Sequence, residues 1–226
     1  MRAPVSIVIP TLNAAEELGP TLMALMEGIE AGLVRELIIS DGGSTDATLE
    51  LADEWGAEVL TGAQGRGAQL ALGCEAARGQ WLLMLHADTH LPEGWTNIVW
   101  NHLDPERAYY GRLAFRSGGL RGRLVAGWAN IRSAWFRLPY GDQGLLISKA
   151  LYLSVRGYPE IPLMEDVALA QKLSKRLRPL PLTVHTSAAR YERDGWLRRG
   201  TRNLMVLTRY LAGAKPADLV KIYTRR

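Results

Sequence analysis

Cysteine is almost missing from this chain: Cys74 alone stands among 226 residues. No disulfide can form within it, which suits a reducing compartment. Cys74 lies in Ala71-Leu72-Gly73-Cys74, a helix-like apolar stretch, and reads as a small core residue. Long hydrophobic runs are missing too, since none approaches the roughly 18 residues of a membrane span. The N-terminus enters a strand-like run at Pro4 with no charged-then-apolar leader. The expectation is a cytoplasmic protein, or one at the cytoplasmic face of a membrane. No Gly-x-x-x-x-Gly-Lys-Ser/Thr loop is present. The first strand leads into Pro10-Thr11-Leu12-Asn13, where a dinucleotide fold would place glycines. Gly65-Arg66-Gly67 is too short and too late to replace them. These absences weigh against kinases, GTPases and nicotinamide dehydrogenases. Internal repeats and low-complexity segments are also absent.

What is present is an ordinary apolar fraction of 47%, enough for one large domain with a real core. Charge is uneven. Residues 190–226 carry ten Lys/Arg against three Asp/Glu, a net of +7, which leaves −3 for the rest. Such a segment suits phosphates, anionic lipid or a solvated helix. No recognised nucleic-acid motif accompanies it, so nucleic acid is not an expected partner.

Apolar periodicity predicts strands over 4–9, 36–40, 57–60 and 81–86, alternating with helices over 16–30, 46–55 and 66–77. That alternation predicts an α/β fold with a mostly parallel sheet. The second half changes pattern: strands at 109–115, 144–147 and 180–184, helices at 120–138, 149–155, 165–176 and 196–212. Gly62-Ala63-Gln64-Gly65 reads as a loop.

Acidic signatures fall where strands end, the ligand edge of an open α/β sheet. With no cysteine cluster beside them, they suggest a hard metal ion and a phosphorylated, hydroxyl-rich ligand. Asp41-Gly42-Gly43-Ser44-Thr45-Asp46 offers a carboxylate for a base or ribose, or else a turn and helix cap. In His86-Ala87-Asp88 the two polar side chains face the same way if the strand continues. They can then meet one metal or ribose–phosphate. Otherwise His86 is a hydrogen-bonded core residue and Asp88 caps the helix after Pro92. Glu165-Asp166 opens a helix, where acids are favoured by the dipole in any protein; facing a cleft, such a carboxylate can take a proton from a hydroxyl. Gly141-Asp142-Gln143-Gly144 offers an acid and an amide on a flexible loop, or only a turn. Arg66 opens a helix near the ligand edge, where it can pair with a phosphate.

In this order the pieces resemble the family 2 glycosyltransferases of the GT-A fold, over roughly residues 4–190. Ser6-Ile7-Val8-Ile9-Pro10-Thr11-Leu12-Asn13 is similar to that family's first strand and nucleotide loop. The segment from Asp41 resembles its Asp-Gly-Ser-x-Asp, with one extra glycine. Trp81 to Asp88 resembles the strand bearing its Asp-x-Asp, with His86 in place of the first aspartate. Glu165-Asp166-Val167-Ala168-Leu169 resembles its Glu-Asp segment. The His86-Ala87-Asp88-Thr89 form is similar to a bacterial branch, some members of which are linked to arsenosugar biosynthesis.

The resemblance implies a nucleotide site built from Pro10, Thr11, Asn13, Glu16 or Glu17, Asp41, Gly43, Arg66, Ala87 and Asp88. It implies a divalent cation, Mn2+ or Mg2+, held by Asp88 with His86 beside it; imidazole suits manganese better. Asp166 would be the general base, assisted by Glu165. The implied reaction is inverting transfer of a sugar from a nucleoside-diphosphate sugar, commonly uridine-linked, to a hydroxyl acceptor. Residues 1–226 would form one domain: 1–105 holding the nucleotide sugar, 106–190 the acceptor and catalytic half, 191–226 a basic helical segment. That last segment packs on the body or contacts anionic lipid. Two other readings remain: a nucleotidyltransferase acting on a sugar phosphate, and a nucleotide-sugar-binding or membrane-associated protein without turnover.

Overall fold

A computed structural model describes residues 3–62 and 65–224; Ala63 and Gln64 of the expected 62–65 loop lie outside the described residues. The first half runs β1 (Val5–Thr11), α1 (Ala15–Glu30), β2 (Val34–Asp41), α2 (Thr48–Glu54), β3 (Glu58–Thr61), α3 (Arg66–Ala76), β4 (Trp81–Met84) and α4 (Trp95–Trp100). The second half runs β5 (Ala108–Phe115), α5 (Gly119–Phe136), β6 (Leu145–Ser148), α6 (Lys149–Ser154), α7 (Glu165–Leu173), β7 (Leu177–Thr186), α8 (Ala189–Asp194), α9 (Trp196–Leu211) and α10 (Pro216–Thr224).

The described strands form one seven-stranded sheet in the order β3-β2-β1-β4-β6-β5-β7. Only β6 is reversed, pairing antiparallel with both β4 and β5. The carboxyl ends of the other six strands therefore share one rim, where ligands of open α/β sheets bind. Period-two alternation on β1 divides the core. Val5, Ile7 and Ile9 pack with Leu18 and Leu22 of α1 and Trp95 of α4. Val8 packs on the opposite face with Leu70 and Cys74 of α3 and Val167 of α7. Burial pushes the Cys74 thiol up to about 12, so it is an inert core residue.

Four expectations are corrected. β4 stops at Met84 instead of reaching His86, because its partner β6 begins opposite Met84 at Leu145. The chain then turns, with the Thr89 N–H donating to the His86 carbonyl. α7 ends at Leu173, and β7 starts earlier than predicted, at Leu177. β7 is an edge strand, where the N–H donors missing at Pro179 and Pro181 are tolerated. α8 and α10 were not anticipated; each is nine residues or fewer, too short for a clear helical period. Asp88 does not cap α4. The Glu27 carboxylate of α1 does, accepting from the Gly94 and Thr96 N–H groups. Among the described residues no helix is long and apolar enough to cross a membrane.

The loops at the rim are held from below by Gln69 of α3. Its buried side-chain amide donates to the Thr11 carbonyl at 2.6 Å and the Ser40 carbonyl at 2.9 Å. Replacing Gln69 with Met keeps the volume but removes both of these hydrogen bonds, leaving the Thr11 carbonyl with only its Gly42 N–H donor, which costs about 1–3 kcal/mol. Urea denaturation should show the midpoint falling accordingly; an unchanged midpoint would mean that those carbonyls find other partners.

Candidate active site

Two strand-end loops interlock at one side of the rim. Asp41 is buried, and its carboxylate accepts from the Thr11 hydroxyl at 2.8 Å, the Ser44 hydroxyl at 2.5 Å, and the Gly43 and Ser44 N–H groups at 2.8 and 2.7 Å. Burial alone would raise its pKa, but these donors hold it below the usual carboxylate range. Asn13 sits in the left-handed region at φ 49°. Its N–H donates to the Ser44 hydroxyl, and its side-chain carbonyl accepts from the Thr45 N–H. Pro10 lies in β1 opposite Ser40, and the Ala87 carbonyl accepts from the Thr21 hydroxyl of α1. Glu16 is exposed. Glu17 is ion-paired with Arg116, and that pairing outweighs burial to lower its pKa.

Beside this lock a cavity of about 490 Å3 opens at the rim. It collects Arg66, His86, Asp88, Glu165 and Asp166 from the predicted set. Thr11, Asn13, Asp41 and Gly43 are not in its wall; they shape the adjoining loops. Asp88 and Asp166, far apart in sequence, thus converge, whereas Asp41 is engaged by Thr11, Gly43 and Ser44 of the two interlocked loops and does not line the cavity.

α7 delivers the two acids. Met164, just before it, adopts φ 67°, a strained conformation for a bulky residue and of the kind that functional sites tolerate. Asp166 is half-buried; its Oδ2 accepts from the Gly141 N–H at 2.8 Å and its Oδ1 from the Val167 N–H at 2.7 Å. Glu165 is only 2% exposed and stands 3.6 Å from the Arg66 guanidinium. Burial first, then the Asp166 charge, push the Glu165 pKa up to about 7, against the pull of Arg66.

The loop at 141–144, expected to be flexible, is instead pinned. Gln143 is buried; its carbonyl accepts from the Ser133 hydroxyl at 2.6 Å, and its NH2 donates to the Gly111 carbonyl at 2.9 Å. Gly141 is required because a Cβ there would lie 2.5 Å from His86 Nε2. Asp142 faces the cavity with Oδ1 unpaired among the described residues. Its pKa rises to about 6 through burial, helped by Asp166 and Asp88 and opposed by Arg132 and Arg66. Asp142 was left open between turn and acid in the sequence, and Arg132, Arg190 and Trp196 were missed. A signal existed for Arg190: it lies four residues past the end of β7, at the rim.

His86 and Asp88 line the same cavity although the strand has ended. His86 Nε2 is buried and unpaired. Burial, with the charges of Arg66 and Arg190, drives its pKa well below the ordinary value, so the imidazole is neutral. Burial raises Asp88, with Arg190 pulling the other way. A neutral imidazole and an under-compensated carboxylate fit a divalent cation. Among the described residues no three His, Cys, Asp or Glu side chains form a complete ligand set. Any cation here would need oxygens from a ligand.

The helix of the basic segment is a wall of this cavity through Trp196, Leu204 and Leu207. Its charge is partly internal. Arg199 is buried, donating to Asp194 at 3.0 Å and to the Tyr223 hydroxyl at 2.6 Å, and Arg202 approaches Asp194 at 3.8 Å.

Residues 6–147 match the model of Glycosyl transferase family 2, and the chain belongs to that family. The PGL/p-HBAD biosynthesis glycosyltransferases of Mycobacterium tuberculosis (strain ATCC 25177 / H37Ra) and Mycobacterium bovis (strain BCG / Pasteur 1173P2) are each 34% identical over 134 residues. That match covers 54% of this chain and 51% of theirs, so the chain spans about half the length of the curated relatives it matches. The fold is similar to that of S. aureus TarS, at TM-score 0.63 and 15% identity over 97% of this chain and 42% of TarS. It is also similar to glucosyl-3-phosphoglycerate synthase from Mycobacterium tuberculosis, at TM-score 0.59 and 21% identity over 89% of this chain and 78% of that one. The architecture is the GT-A type.

Glu165 carries a pH signature. An unfolded carboxyl near 4.5 becomes one near 7 in the fold, so the protein holds the proton longer than the unfolded chain. Stability is therefore lost as pH rises between those values and is constant above them. Glu165→Gln removes this contribution. In urea titrations at about pH 5 and about pH 8, the variant should gain on the parent at the higher pH; a pH-independent difference would contradict the raised pKa.

Proposed function

We propose that the chain is an inverting glycosyltransferase that moves a sugar from a nucleoside-diphosphate sugar, uridine-linked, to a hydroxyl acceptor. The observation that carries the reading is the single cavity that joins Arg66 and Asp88 of the nucleotide half to Asp166 of the second half. In this reading residues 1–105 hold the donor, 106–190 the acceptor and 191–226 complete the acceptor wall. Thr11, Asn13, Glu17, Asp41 and Gly43 shape the base and ribose pocket, with Pro10 and Ala87 at its edges. The His86-Ala87-Asp88-Thr89 branch belongs to the same reading.

Asp166 takes the acceptor proton. The Gly141 N–H holds its Oδ2, leaving the carboxylate oriented toward the cavity. The acceptor oxygen bonds to the anomeric carbon as the carbon–oxygen bond to the diphosphate breaks, which inverts that carbon. Negative charge grows on the leaving diphosphate, and Arg66 and Arg190 offset it. Glu165 fixes the Arg66 guanidinium and touches no substrate. Asp88 and His86 would hold a divalent cation, Mn2+ or Mg2+, which when bound neutralises the diphosphate. The Mn2+ and uridine diphosphate in the complex of glucosyl-3-phosphoglycerate synthase agree with this choice.

Asp166→Asn should fold, bind uridine diphosphate as the parent does, and lose about 10²–10⁴-fold in turnover at saturating donor. Full turnover by that variant would remove the base assignment. Asp88→Ala should abolish the gain in uridine diphosphate affinity that manganese confers; calorimetry showing the same gain in variant and parent would contradict the cation role.

A further inference from the structure

The cavity wall beyond the acids is apolar. Phe115, Tyr191 and Trp196 form an aromatic cluster in it, with Tyr191 stacked on Trp196 at 5.0 Å and Phe115 edge-on to Trp196 at 5.2 Å. α5 and α9 continue that surface outward. Leu124 is 67% exposed, Trp128 49%, Leu197 86% and Leu204 43%, yet all four line the cavity. A soluble domain rarely leaves so much apolar side chain in water around one opening. The pattern is not scattered. Leu120, Leu124, Trp128, Ile131 and Trp135 recur at three- and four-residue steps and share one face of α5.

The two helices that bear this apolar surface carry charge of one sign. α5 and α9 carry Arg121, Arg123, Arg132, Arg198, Arg199, Arg202 and Arg209 and no Asp or Glu. Arg121, Arg123, Arg198 and Arg209 are exposed. An apolar channel between two cationic helices, with a carboxylate at its inner end, is built for a molecule with an apolar body and a hydroxyl at its tip. A purely polar sugar or amino acid would leave the aromatic cluster and the α5 leucines in water.

We infer that the acceptor is an amphiphile: its hydroxyl reaches Asp166 while its apolar body lies along the Phe115–Tyr191–Trp196 cluster and out between α5 and α9. This rests on the transferase reading above and names the acceptor class that reading leaves open. The same chemistry is available from a freely dissolved amphiphile and from a lipid resident in a membrane. For a membrane source, the Arg-rimmed face of α5 would meet the anionic lipid surface.

The test uses n-octyl β-D-glucoside below its micelle concentration, with methyl β-D-glucoside as the polar control, titrated calorimetrically into the full chain. The octyl compound should bind saturably and at least tenfold tighter than the methyl one. Leu204→Arg and Leu124→Arg, both at exposed positions and both checked for an unchanged thermal transition, should each weaken octyl binding at least tenfold. Equal binding of the two glucosides, or octyl binding unaltered in both variants, would overturn the proposal. Flotation with phosphatidylglycerol vesicles separates the sources. Octyl binding without flotation assigns a dissolved amphiphile, and octyl binding with flotation that Trp135→Glu abolishes assigns a membrane-resident one. Flotation without octyl binding reduces the face to surface contact and overturns the acceptor claim. Uridine diphosphate affinity of the unaltered chain is measured alongside. Nucleotide binding with no amphiphile binding removes only this inference, whereas amphiphile binding with no nucleotide binding removes the transferase reading and leaves the apolar site.

Discussion

The close approach of α3 to the segment before α7 is the contact on which the site depends. Gly67 makes it possible: a Cβ there would lie 2.6 Å from the Pro159 carbonyl oxygen, 2.9 Å from that of Ile161 and 3.1 Å from Glu165 Cβ. With the backbones this close, Arg66 on one side reaches Glu165 on the other, and Asp166 is carried to the Gly141 N–H. A carboxyl buried as deeply as Glu165 is costly unless compensated. The partial compensation by Arg66 ties a residue of the first half to one of the second. The strained Met164 conformation persists because this packing determines it from both sides.

Sheet topology does the rest. One reversed strand, β6, lets β5 and β7 run parallel to β1 and β4, so Phe115 and Thr186 end at the same rim as Thr11 and Met84. The cavity inherits acids from the loops after β4 and before β6 and from the start of α7, and arginines from α3, α5 and α8. Burial takes much of each side chain out of bulk water, and their charges act on each other across the cavity. That is why Asp88, Asp142 and Glu165 are all raised while His86 is lowered. A site in which several acids already resist ionisation is receptive to added positive charge, and its arginines to a phosphate.

Much of this was legible from residue order. β1, β2 and β3 with α1 and α3 follow from apolar period and β-branching, the strand-end position of Asp41 follows from those strands, and Glu165-Asp166 does open a helix. Other parts were hidden for physical reasons. The pairing partner decides where β4 ends, and no local pattern near His86 reports that β6 begins at Leu145. The start of β7 at Leu177 is set by its pairing with β5 from Ala108, a property of the sheet that no local pattern reports. Asp142 looked like a turn residue because Gln143, which pins it, draws on Ser133 and Gly111, ten and more residues away. The C-terminal arginines were left open between phosphate, anionic lipid and a solvated helix; Asp194 and Tyr223 draw two of them inward.

The central claim is that donor and acceptor meet between Asp88 and Asp166 and that the diphosphate leaves intact. Phosphorus NMR of a uridine-diphosphate sugar incubated with the chain and manganese tests it most directly. The account predicts resonances of free uridine diphosphate growing as those of the sugar nucleotide fall. Pyrophosphate or uridine monophosphate in their place, or no change in the spectrum while the nucleotide sugar is bound, would contradict it.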